Sequence, residues 1–372
     1  MHTPLNILLT DASDIYGGGE FFVLSLAQEL VKRELRVWVS CRSDNLLNEK
    51  CIAAGIPVLP VDFPSNGRLT HHIGVLSGFI GAHAIDIVHS NNNYDRTAGA
   101  FAASRMRRRH VTNIHSFHSI QHNLTHWIRN RIATDHFIVD GYCVKDLLIR
   151  EDGIPASKIS VVHLGLNPES MKNSPDDRRR IRNRYDIKDD EILIGNVGRF
   201  VPMKGQEYLV KAFAEVAGRQ ERVKLLLVGD GELRGTLESL ASSLGITSRV
   251  IFAGFSDELG AMYSSFDVYA HSSVEEGGET FPFAVLQAIA QRLPAVVTRV
   301  GDVAAMVEDG VNGYVVADAD AHELAEKLLM LIENPGSISR MGEESHNRFM
   351  RLFTSQSMVD GIIDVYMNIV TK

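Results

Sequence analysis

The chain has 372 residues, 45% hydrophobic and 23% charged, the balance of a globular protein long enough for two domains. With 38 Lys and Arg against 46 Asp and Glu, its net charge of −8 argues against a nucleic-acid partner. Three widely spaced cysteines (Cys41, Cys51, Cys143) argue against a disulfide framework or a zinc site, and no stretch of about 18 apolar residues is present to span a bilayer.

Asn6 to Thr10 (NILLT) reads as a strand and lacks the basic flank and long apolar run of a signal peptide. A soluble cytoplasmic protein follows, with peripheral contact at the inner membrane face left open. Asp11 to Gly19 is a loop ending in three glycines. Glu20 to Lys32 has helical periodicity through Phe22, Leu24, Leu26, Ala27, Leu30 and Val31. Arg36 to Ser40 is the next strand. Strand, Gly-rich loop, helix and strand imply a parallel sheet. The rhythm continues with strands at 58–61, 85–90, 111–115, 136–140 and 159–163, and with helices between them. The expectation is an α/β, doubly wound, Rossmann-like domain over residues 1–168.

Residues 167–190 are polar and Arg-rich, and read as a linker into a short solvated helix. The α/β rhythm then restarts, with strands at 192–198, 223–228, 250–253, 268–271, 294–298 and 314–316. A second Rossmann-like domain is expected over 169–354. A C-terminal helix, about 355–372, is expected to pack back on the first. Two such domains in tandem would make a cleft lined by strand-end loops.

Several loops carry residues suited to chemistry. Gly17 and Gly18, with Gly19, would let backbone approach a phosphate, although the spacing is not GxGxxG and a tight turn is the plainer reading. Arg199 and Lys204 lie five apart in the loop after a buried strand, where a planar fork and a point charge can reach one diphosphate. His115 ends a strand and suits a ligand contact. His118, His122 and His126 follow it, read as exposed, and the group is not assigned to a metal.

Residues 275–297 form a glycine-broken acidic loop, an apolar helix from about Phe281 to Gln291, and a strand. Pro282 suits the first helical turn, and the helix start suits an anion. Glu279 precedes that helix, as a contact for a substrate hydroxyl or as a carboxylate favoured by the dipole. Gln287 sits among Phe283, Ala284, Leu286 and Ala288, where a polar group needs a partner or a ligand. No Ser-His-Asp or Cys-His arrangement appears. The basic runs RMRRRH (105–110) and RRRIRNR (178–184) suit solvated faces, or attraction to an anionic acceptor or lipid surface.

Six pieces in order resemble the retaining glycosyltransferases of family 4, of GT-B fold. They are GGGEFFVLSLAQEL, VTNIHS, GIPASKISVVHLGLN, GRFVPMKGQEYLVKAFAEV, LVGDGELRGTLESLASSLGITSRVIFAGF and ETFPFAVLQAIAQRLPAVVT. The last is similar to the glutamate–seven–glutamate motif of that family. The resemblance implies that Gly18 and its neighbours approach the donor phosphates, and that Arg199 and Lys204 neutralise the diphosphate leaving group. It implies that backbone N–H groups of Phe283 and Ala284 join that anion site. It puts Glu279 and His115 on the donor sugar and backbone near Phe255 on the base. The second acid of the motif falls on Gln287, a departure that leaves a neutral donor and acceptor where the ribose would be held.

The resulting expectation is a retaining, hexosyltransferase-like glycosyltransferase. Its substrates would be a nucleotide sugar and a glycan, lipid-linked or lipopolysaccharide-type acceptor, with neither metal nor other cofactor. An epimerase or hydrolase of the same fold, or a non-catalytic nucleotide-sugar-binding protein, is the alternative.

Overall fold

The computed structural model describes residues 4–13, 18–63, 69–115 and 117–371. Gly17 and Ser116 therefore lie outside the described residues. The chain divides into two compact units, Met1–His163 with Ser355–Lys372, and Leu164–Thr354. The boundary falls at 163/164 rather than 168/169. Leu166 already belongs to the second unit, because its N–H donates to the Phe353 carbonyl at 2.9 Å and it bridges Thr354.

Among the described residues the first unit holds seven parallel strands: β1 (Asn6–Thr10), β2 (Arg36–Cys41), β3 (Val58–Pro60), β4 (Ile87–Ser90), β5 (Arg109–Ile114), β6 (His136–Val139) and β7 (Ile159–Val161). Their order is β3-β2-β1-β4-β5-β6-β7. The helix Gly18–Lys32 buries Phe22, Val23, Leu26, Ala27 and Leu30; of the stripe its sequence predicts, Leu24 is half-buried and Val31 is exposed, and Val23 is buried in addition. The C-terminal helix Ser355–Val370 belongs to this unit. Its Tyr366 hydroxyl meets His89 Nδ1 at 2.6 Å, and Asp360 pairs with Arg33 at 2.8 Å.

The second unit repeats the plan with β8 (Ile192–Val197), β9 (Val223–Val228), β10 (Val250–Gly254), β11 (Val268–His271), β12 (Ala295–Thr298) and β13 (Gly313–Val316). The order is β10-β9-β8-β11-β12-β13. Central strands such as VKLLLV and AVVT are mostly apolar, because helices cover both faces of a parallel sheet. In each unit the strand order reverses beside the first strand. Loops leaving β1 and β4, and loops leaving β8 and β11, diverge there and open a crevice at the strand ends. Among the described residues no helix is long and apolar enough to cross a membrane.

The second arginine run is a solvated face only in part: Arg179, Arg180 and Arg184 are exposed, whereas Arg178 and Arg182 are tied into the fold. Arg182 is buried, binding the Ser265 carbonyl at 3.1 Å and Asp267 at 3.2 Å. Arg178 donates to the carbonyls of Ser264, Ser265 and Phe266 and pairs with Asp267 at 2.6 Å. The two guanidinium groups thereby satisfy the orphan carbonyls that end the helix Leu259–Ser265. The segment 177–184 is thus fastened to its own unit, and its charge is largely spent on structure.

Candidate active site

The loop after β8 carries Lys204, and the loop after β11 carries Glu279. Three features stitch the loops together. Ser272 Oγ donates to the Lys204 carbonyl at 3.0 Å, and the Val274 N–H donates to the Met203 carbonyl at 3.0 Å. Gly205 closes the contact with φ of 56°, and a Cβ there would run into the Ser272 carbonyl. Only glycine meets both demands without strain. On the far side Gly301, with φ of 55°, packs against the carbonyls of Glu279 and Thr280 in the same way.

These constraints bring the Lys204 ammonium onto Glu279 Oε1 as an ion pair. Glu279 Oε2 meets His271 Nε2 at 3.1 Å and accepts the Ser273 hydroxyl proton. His271 is 3% exposed and ends β11. Burial alone would raise the Glu279 pKa, but the adjacent His271 and Lys204 outweigh it and hold the carboxyl well below the usual range. Because Glu279 is ionised, the His271 nitrogen facing it carries a hydrogen and donates. The pair is a poised one: an incoming phosphate can compete for Lys204, while His271 and Ser273 keep the carboxylate aimed.

The remaining expected site residues of this unit divide. Arg199 is exposed, its carbonyl accepts from Gln206 Nε2 at 2.9 Å, and among the described residues its guanidinium has no ion pair. It lines a pocket of about 780 Å³ with Pro202, Gln206, Leu233, Glu276 and Asp318. The structure shows no contact between it and the Lys204–Glu279 pair. Phe255 follows the edge strand β10 and is 82% exposed.

The apolar helix runs Phe283–Ala290, shorter than predicted at both ends. Pro282 stands at the cap with ψ of 106°, an extended value, rather than in the first turn. Glu279 does not cap this helix, since its oxygens are taken by Lys204, His271 and Ser273. Phe283 and Ala284 are half-buried at its first two positions, and Gln287 is half-buried one turn on. The buried Tyr263 hydroxyl lies 3.2 Å from the Gln287 side chain.

In the first unit the corresponding crevice is organised by Asn91. Its Nδ2 donates to Asp11 at 2.8 Å and to the Gly19 carbonyl at 3.3 Å, and its Oδ1 lies 3.1 Å from His115 Nε2. His115 follows β5, stands edge-on to Phe22 at 4.9 Å, and has Asp140 3.6 Å from Nδ1. These groups hold the imidazole in a pocket of about 590 Å³ with Gly19, Glu20, Asn91, Arg96 and Ser119 along its wall. Burial pushes the Asp11 carboxyl up to about 6 against the opposing hydrogen bond from Asn91. Gly18 already belongs to the first helix, and a Cβ there would meet open space, so it is not a site of forced close approach. His118 and His122 are exposed, but His126 is half-buried and accepts the His122 N–H at 3.3 Å.

Sequence reasoning missed His271, Ser273, Tyr263 and Asn91. The rule that picked out His115 and Arg199, a polar residue at the end of a buried strand, applies equally to His271 and Asn91.

Two family models cover most of the chain in succession. Glycosyltransferase Family 4 matches residues 16–170, and Glycosyl transferases group 1 matches residues 177–348. D-inositol 3-phosphate glycosyltransferase of Stackebrandtia nassauensis is 25% identical over 391 residues, covering 94% of this chain and 86% of that protein. The lipopolysaccharide core biosynthesis glycosyltransferase LpsE of Rhizobium meliloti is 31% identical over 184 residues, covering 50% of this chain and 52% of that protein. Among solved structures, a glycosyltransferase from Rickettsia africae superimposes with a TM-score of 0.90 at 18% identity, each chain covered in full. Anabaena Alr3699/HepE in complex with UDP gives a TM-score of 0.83 at 24% identity, covering 98% of this chain and 100% of that one. At those identities the structural matches establish the fold.

Proposed function

Because this chain belongs to the glycosyltransferases of family 4 and group 1, with the GT-B fold, we propose that it moves a sugar from a nucleotide-diphosphate sugar to a glycan, lipid-linked or lipopolysaccharide-type acceptor, with retention of configuration. The observation that carries this reading is the Lys204–Glu279–His271 group, its histidine buried and its ion pair largely shielded, at the point where the strand order of the second unit reverses. HepE, a structural relative, has been crystallised with UDP and with UDP-glucose, which supports the donor class.

In this reading Lys204 leaves Glu279 for the diphosphate, and Arg199, exposed and without an ion pair among the described residues, joins it. Together with the N–H groups of Phe283 and Ala284 they stabilise charge growing on the leaving diphosphate. Glu279, oriented by His271 and Ser273, accepts hydrogen bonds from donor-sugar hydroxyls. Backbone near Phe255, just beyond the end of β10, meets the base, and Gln287 holds the ribose. Gly17 and Gly18 stay assigned to the donor phosphates on the resemblance alone. His115, fixed by Asn91 and Asp140, is the first unit's sugar contact. Fixed cations meet the charge requirement, so no metal is invoked. A panel of labelled nucleotide sugars, with and without glycan acceptors, should show acceptor-dependent diphosphate release that persists in excess EDTA. Release without acceptor would point to hydrolysis, and loss in EDTA would overturn the metal-free reading.

Peripheral membrane contact is proposed for the first unit. Leu124, Trp127 and Ile132 are 71%, 42% and 67% exposed on the segment 124–133, with the exposed Arg131 beside them. An aromatic and aliphatic edge with a cation suits a lipid interface. Co-sedimentation with anionic phospholipid vesicles should fall several-fold in a Leu124→Ser, Trp127→Ser variant. Equal sedimentation of variant and wild type would remove the assignment.

A further inference from the structure

Two arginines of the first unit are buried near one another, Arg96 at 4% exposure and Arg129 at 0%. Each spends its hydrogen bonds on neutral oxygens. Arg96 donates to the Thr112 hydroxyl at 3.0 Å, the Asn93 carboxamide at 3.2 Å and the Asn113 carbonyl at 3.4 Å. Arg129 donates to the Asn130 carboxamide at 2.8 Å, the Thr97 hydroxyl at 3.0 Å and the Ile120 carbonyl at 2.7 Å. Among the described residues neither guanidinium touches a carboxylate. Asp152 attracts both, yet its oxygens accept from the Ser119 hydroxyl and the Ile120 N–H. Asp95 accepts from Thr10, Asn91 and Asn92, and burial pushes its own carboxyl up. Burial pulls Arg96 down to about 10, and pulls Arg129 down to about 9 with Arg96 repelling it. Both stay charged near neutral pH, so the unit buries positive charge that no direct ion pair balances.

Of the two, Arg96 reaches open space. It forms part of the wall of the pocket of about 590 Å³ that holds His115. Of its three bonds, the one from Nη1 to Asn93 is the least buried. A guanidinium has five N–H groups, so Nη1 and Nη2 each keep a hydrogen without a partner among the described residues. The wall also carries the exposed His118 and His122 and the first turn of the helix Asn93–Arg105, whose dipole favours an anion. Glu20, from the first helix, is the one carboxylate among the described wall residues.

We propose that this pocket receives the sugar acceptor, and that the acceptor carries an oxyanion, a phosphate or a carboxylate, that pairs with Arg96. The planar fork of an arginine suits either anion. Glu20 repels the anion from its own side and can accept from the acceptor's hydroxyls. The inference rests on the glycosyltransfer reading and narrows its acceptors to anionic ones.

The test is titration calorimetry on the full chain, with the donor site filled by whichever of UDP, GDP and ADP binds. The probes are glucose 6-phosphate and glucuronate, each beside glucose. At least one of the two anions should bind about tenfold tighter than glucose. Asn93→Asp sets a carboxylate against Arg96 from an exposed position in the first helical turn, where negative charge is favourable. This variant should melt no lower than wild type, yet bind the anion about tenfold more weakly. A packing defect would lower both. Preference for the phosphate or for the uronate supports the site and names its anion. Anions bound no better than glucose by wild type, or equally well by wild type and Asn93→Asp, would overturn the proposal. Failure of all the nucleoside diphosphates to bind would overturn the nucleotide-sugar reading. The Asn93→Asp comparison, run without nucleotide, would still decide whether the pocket takes anions.

Discussion

Lys204→Ala is expected to slow sugar transfer at least tenfold, and Arg199→Ala by less. Both are cations of the same loop, but their surroundings differ. The Lys204 side chain is 18% exposed and held between two packed loops, where charge is screened weakly and a diphosphate would meet a preorganised partner. Arg199 stands in solvent, where screening and side-chain entropy reduce what one contact contributes. The loss should appear in kcat as well as kcat/KM, since charge on the leaving group grows towards the transition state. Steady-state rates with the best donor of the panel decide the matter. Near-normal turnover of the Lys204 variant would sink the assignment of this loop to the leaving group.

Glu279→Gln should abolish most transfer and also change how stability depends on pH. In the folded protein His271 and Lys204 keep this carboxyl ionised below its ordinary value of 4.5. A carboxyl with a depressed folded pKa contributes stability that is fully present above the unfolded value and is lost as pH falls through the folded one. Wild type should therefore shed part of its stability on acidification below 4.5, and the glutamine variant should lack that part of the slope. At about pH 7 the variant should be less stable by about 2–4 kcal/mol, because a buried ion pair has lost one member. Urea melts of both proteins at about pH 7 and about pH 4 give the comparison. Parallel pH dependence would mean that Glu279 is not the charged group that His271 and Lys204 serve.

Local pattern was enough to locate most strands of this protein. Parallel strands buried on both faces are written as short, mostly apolar runs, so NILLT, IVHS, VKLLLV and AVVT announce themselves without help from distant residues. Helix ends were less legible. Pro282 suggested a first turn, yet the chain stays extended there and the helix begins one residue later. The arginines of 178–184 read as solvated, because nothing nearby in sequence shows that Asp267 and the carbonyls of 264–266 will stand opposite them.

The candidate site divides along the same line. Sequence alone determined the two α/β rhythms and the positions of Arg199, Lys204, Glu279 and His115 at strand ends, since the period of apolar residues fixes where strands stop and loops begin. Only the tertiary structure decided which of these meet. Lys204 and Glu279 touch because β8 and β11 are neighbours in the sheet, although 75 residues separate the two side chains. The same adjacency brings in His271 and Ser273 and requires Gly205 where no side chain could fit, and the loop after β12 requires Gly301 against the Glu279 and Thr280 carbonyls. Strand order is set by long-range packing of helices on both faces of the sheet. No local pattern records it, and so the partners that fix the charge and aim of Glu279 become visible only in the fold.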